Sequence, residues 1–70
     1  MVNEAKTIGE ALLQARVEAG LTHGQLALLA RTSRAAIHAY ETGRREPLVS
    51  TAARLFDACG WALQPVGPSR

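Results

Sequence analysis

A chain of 70 residues with 47% apolar and 20% charged side chains reads as one globular domain and not as a disordered chain. Its net charge is +2, and seven of its eight basic residues are arginine; this permits a polyanionic partner without demanding one. A lone cysteine, Cys59, excludes an intrachain disulfide. No apolar run approaches the roughly 18 residues of a membrane span and no signal-peptide pattern is visible, so the expectation is a cytoplasmic chain with no membrane partner.

Residues 1–6 are polar and expected to be a flexible N-terminus. A first helix is expected from Thr7-Ile8-Gly9-Glu10, a capping-box pattern, with Ile8, Leu12, Leu13 and Arg16 following at helical spacing and Gly20 as the stop. A second opens at the box-like Thr22-His23-Gly24-Gln25, turns Leu26, Ala27 and Ala30 inward, and ends at Arg31-Thr32-Ser33. Ser33 is a natural N-cap for a third helix over residues 34–41. There Ala36, Ile37 and Tyr40 face inward, while Arg34, Ala35, His38 and Ala39 face out. Gly43 closes it, and Arg44-Arg45-Glu46-Pro47 forms a basic connector. A fourth helix is expected near Pro47, with Leu48, Ala52, Leu55 and Cys59 on one face, Val49 and Phe56 beside them, and Gly60 at its end. Residues 61–66, Trp61-Ala62-Leu63-Gln64-Pro65-Val66, read as a short strand or arm, and residues 67–70 as a flexible tail.

Two short helices joined by about three residues must cross steeply, which is the helix-turn-helix arrangement. Charge concentrates there: four arginines against two glutamates over residues 31–46, compared with two basic and three acidic groups in the first thirty residues. In such a unit the first helix spans the sugar–phosphate backbone and the second enters the major groove.

Leu21-Thr22, Gln25-Leu26-Ala27, Ala30, Ser33, Ile37, Tyr40-Glu41, Gly43, Arg45 and Pro47 together resemble the Cro/C1-type (Xre) family over about residues 8–60. An unrelated small bundle accounts for the apolar stripes equally well, but not for the Tyr-Glu-x-Gly-x-Arg-x-Pro run. The resemblance implies an all-α, four-helix, lambda-repressor-like DNA-binding domain over residues 7–60 with a short C-terminal β-arm. It also implies that Arg34, Ala35, His38 and Ala39 meet base edges. Arg34 is the best placed, because arginine bonds guanine O6 and N7 together. His23, Ser33, Thr42, Arg44 and Arg45 are the phosphate candidates, and Arg16 and Glu41 resemble a structural salt bridge between the first helix and the end of the third.

Arg31 and Thr32 depart from the family pattern, which has glycine and an aliphatic residue there, so the turn is expected to be less comfortable. Leu28 and Leu29 fall where exposed polar residues are usual; they read as packed under the C-terminal arm or as a partner-binding patch. Trp61 reads as a core plug or, with Leu63, as the anchor of a two-stranded ribbon between the copies of a homodimer. The ending is similar to that of HipB-like antitoxins. The expected function is a transcriptional repressor that binds double-stranded DNA as a homodimer at a palindromic operator. The alternative is an antitoxin that also binds a toxin protein.

No enzyme, metal or cofactor is expected. His23, His38 and Cys59 are too few and too scattered for zinc spacings. Ser33 and His38 share one helix and are poorly disposed for a catalytic triad.

Overall fold

A computed structural model describes residues 7–61. It contains four helices: α1 (Ile8–Glu18), α2 (His23–Ala30), α3 (Arg34–Glu41) and α4 (Val49–Ala58). Side-chain oxygens start the first three. Thr7 Oγ1 accepts from the Glu10 N–H at 3.0 Å, and Ser33 Oγ accepts from the Ala36 N–H at 3.0 Å. Thr22 and Gln25 form a complete capping box, with Gln25 N–H donating to Thr22 Oγ1 at 3.0 Å and Thr22 N–H donating to Gln25 Oε1 at 2.9 Å.

The helices meet around a small core to which each contributes one fully buried large side chain: Leu12, Leu26, Ile37 and Leu55. Ala15, Ala27, Ala30, Ala36 and Ala52 fill the space between them, with Tyr40 and Phe56. α3 packs on α1 and α2, and α4 packs on α2 and α1. The inward face of α3 is the expected one, whereas α1 differs in part: Leu12 is buried as expected, but Ile8 and Leu13 are each 40% exposed, and Gly9 and Ala15 are buried in their place. Gly9 permits the close approach. A Cβ there would overlap the Tyr40 carbonyl oxygen, so α1 can lie against the end of α3 only without one.

One ion pair crosses this contact. Arg16 Nε donates to Glu41 Oε2 at 2.8 Å and Nη2 donates to Oε1 at 3.2 Å, a bidentate fork. Arg16 Nη1 donates to the Leu21 carbonyl at 3.0 Å. The two side chains are only 11% and 5% exposed. The hydrogen bonds to Glu41 raise the Arg16 pKa above its ordinary value despite the opposing effect of burial, so the guanidinium is charged wherever the fold exists.

The α2–α3 turn carries the expected discomfort. α1, α3 and α4 are each followed by a glycine at positive φ, whereas α2 ends on Arg31 at φ 61° and ψ 49°, the left-handed region. A Cβ there costs roughly 1–2 kcal/mol. The turn is held by the Thr32 N–H donating to the Ala27 carbonyl at 2.9 Å. From α4, Arg54 Nε reaches across to the Ala30 carbonyl at 3.1 Å, satisfying an orphan acceptor at the end of α2.

One expectation needs correction. The fourth helix begins at Val49, because Leu48 is extended at φ −62° and ψ 157°. Leu48 and Val49 are therefore not part of the buried face; they are 75% and 87% exposed, and burial starts at Ala52. No strand occurs among the described residues. The expected arm over residues 61–66 lies outside them except for Trp61, and Leu63, residues 1–6 and residues 67–70 lie outside as well. Trp61 packs against Phe56 with ring centroids 5.7 Å apart, and its backbone N–H donates to the Phe56 carbonyl at 2.8 Å. It is partly buried and packs against the core.

Three substitutions test these contacts. Glu41→Ala leaves a part-buried guanidinium without its carboxylate and is expected to cost about 1–3 kcal/mol, read by urea denaturation. Gly9→Ala should destabilise by about 1–3 kcal/mol through the clash with the Tyr40 backbone, although alanine is the better helix former. Arg31→Gly should stabilise by about 1 kcal/mol and raise the melting temperature by about 4–8 °C.

Candidate nucleic-acid interface

α2 and α3 are joined by residues 31–33. The turn is too short for the helices to lie side by side, and burying Ile37 and Tyr40 fixes which face of α3 turns away from the body. Arg34, Ala35 and His38 are exposed and Ala39 is half-buried. These are the four residues expected on the outer face. The side chains that hold α3 in the core are thus separate from those it presents to solvent.

Basic groups border this face. Beyond Gly43 the chain folds back, and the Arg44 and Arg45 N–H groups both donate to the Ala39 carbonyl, at 2.9 and 3.3 Å. That fastens the connector to the last turn of α3. Arg45 Cζ lies 5.8 Å from the Tyr40 ring centroid, a cation–π contact that restricts the side chain while leaving it exposed. Arg34 and Arg44 are also exposed, and neither enters an ion pair among the described residues.

The other phosphate candidates differ in what they offer. Ser33 is exposed and accepts the Ala36 N–H, which leaves its hydroxyl proton for an outside acceptor. The Thr42 hydroxyl donates to the His38 carbonyl at 2.8 Å, so its single proton is committed to the helix. His23 Nε2 lies 3.0 Å from Glu41 Oε1. A carboxylate only accepts, so the proton on Nε2 is the donor of this bond and is engaged by Glu41. His23 also stands edge-on to His38, with centroids 6.1 Å apart, joining the start of α2 to the outer face of α3. Glu41 therefore holds both Arg16 and His23. The bond to His23 was not legible in the sequence, because the partners lie on different elements and no local pattern links them. The same is true of Arg54.

Leu28 and Leu29 are 83% and 60% exposed, and nothing among the described residues covers them. The Cys59 thiol is half-buried; desolvation pushes its pKa up against the attraction of the Arg16 guanidinium, so it is protonated and a poor nucleophile at neutral pH. No group of residues that could hold a metal ion occurs among the described residues.

A model of the helix-turn-helix domain matches residues 7–65. A relative from Aeropyrum pernix, named "Putative HTH-type transcriptional regulatory protein", is 43% identical over 58 residues, covering 81% of this chain. The chain spans only 18% of that relative's length. No solved structure matches it significantly. With α2 and α3 crossing on residues 31–33 and the match running from the cap of α1 past the end of α4, the chain belongs to the helix-turn-helix domain family.

Proposed function

We propose that the chain is a DNA-binding transcriptional regulator of the Cro/C1 (Xre) type, whose α3 reads base edges in the major groove. The observation that carries this reading is the outer face of α3: exposed, free of core duties and bordered by the exposed arginines Arg44 and Arg45. A major groove about 12 Å wide admits a helix of this size. Arg34 is assigned to a base edge, with His38 beside it. Ala35 and Ala39 allow close approach and suit a thymine methyl. Phosphate contacts are assigned first to Ser33, Arg44 and Arg45, whose donors face outward; Thr42 and His23 rank behind them because their protons are already engaged.

A homodimer bound to a palindromic operator fits this reading, with half-sites about 34–36 Å apart. Occupying a promoter in that way represses it. The Trp61 arm, including Leu63, is assigned to the dimer contact. A second reading, an antitoxin that binds a toxin protein and regulates its own operon, is favoured by the exposed Leu28 and Leu29. A toxin partner would co-purify with the wild-type chain and be released by charged substitutions at both leucines.

Selection from a random duplex pool, followed by binding at several salt concentrations, tests the main reading. The expected result is an enriched inverted repeat whose affinity falls steeply with salt. Arg45→Ala should weaken binding to all sequences and flatten the logarithmic salt slope by about one unit per half-site. Weak, sequence-blind binding would overturn the reading.

A further inference from the structure

The first turn of α2 bears directly on Arg34. A Cβ built on Gly24 would lie 3.3 Å from Arg34 Cδ and 3.8 Å from Arg34 Cγ. The aliphatic stem of the arginine therefore runs across the bare backbone of Gly24, although Arg34 is the first residue of the next helix. Gly24 is the second residue of α2, with no positive φ. Nothing in the local conformation calls for glycine there, and it is a poor helix former. What glycine supplies at this position is the space the Arg34 stem occupies.

We propose that Gly24 is a specificity-determining residue that acts by positioning Arg34. This rests on the reading of Arg34 as a base-contacting side chain. An exposed arginine samples many rotamers, and each one lost on binding opposes the contact it makes. Seating the stem against α2 removes part of that freedom in advance and fixes where the guanidinium fork leaves the protein. A Cβ at position 24 needs a shift of a few tenths of an ångström in the stem, and a larger side chain such as leucine is expected to displace it further. The contribution is one of direction, since Gly24 itself has no side chain to offer a base.

The experiment uses the full chain and the duplex it selects from a random pool. Dissociation constants are measured for that duplex and for its single-base-pair variants, with the wild type, Arg34→Ala, Gly24→Ala, Gly24→Leu and the Gly24→Leu/Arg34→Ala double variant. Arg34→Ala is expected to lose about tenfold discrimination at one base pair. Gly24→Leu should lose several-fold at that same base pair and little elsewhere, Gly24→Ala should lose less, and Gly24→Leu should add nothing once Arg34 is gone. Thermal melts should place both single Gly24 variants at or above the wild type, because each is the better helix former. Were Gly24→Leu too unstable to use, the same-base-pair loss in Gly24→Ala decides. Unchanged discrimination in a folded Gly24 variant, or an equal loss at every base pair, overturns the role of Gly24 while leaving Arg34 in place. Unchanged discrimination in Arg34→Ala, or a pool that yields no preferred sequence, overturns the reading of Arg34 itself and the role of Gly24 with it.

Discussion

The part-buried pair of Arg16 and Glu41 is the constraint on which the placement of α3 depends. The fork is bidentate, so it fixes an orientation as well as a distance, and its third donor holds the Leu21 carbonyl beyond the end of α1. Glu41 is the last residue of α3 and also meets His23, the first residue of α2. One carboxylate thus ties together α1, α2 and α3. Pairs of this kind contribute little net stability compared with apolar side chains of similar volume. What this one contributes is the position of the far end of α3, while Ser33 and the α2–α3 turn set the near end.

The packing around the pair is made of small parts. Gly9 lets α1 reach the backbone of α3, and alanines on all four helices keep the separations short. With so few large side chains inside, orientation relies on polar contacts at the helix ends: the caps at Thr7, Thr22 and Ser33, and Arg54 on the Ala30 carbonyl. The strained turn at Arg31 sits between two such devices, the Thr32 N–H on one side and Arg54 on the other. A left-handed residue with a side chain persists where its surroundings over-determine it.

Much of this was legible in the sequence. The three caps follow from local chemistry, in which a hydroxyl accepts an N–H a few residues on, and the two faces of α3 follow from a clear 3.6-residue period. The Arg16–Glu41 pair came from family resemblance, not from spacing. The start of α4 was misread because proline fixes φ but leaves the next residue free, and an extended Leu48 delays the helix. The contacts of Gly9, Gly24, His23 and Arg54 had no sequence signal. Each joins residues distant in the chain, and a missing Cβ or an exposed charged residue looks the same with or without a partner. Within the candidate interface, the outward residues were readable, while their hydrogen bonds to the rest of the protein were not.

The alanines at positions 35 and 39 of α3 have a consequence for the history of such a domain. Ala35 is exposed and Ala39 half-buried, while Ala36, Ile37 and Tyr40 hold the same helix in the core. Substitutions at exposed positions away from special contacts usually change stability by no more than about 0.5 kcal/mol. A mutation that lengthens Ala35 therefore alters the exposed surface without endangering the fold, and selection can act on the new surface alone. Descendants of this scaffold can diverge in what they recognise while inheriting the same core and the same ion pair.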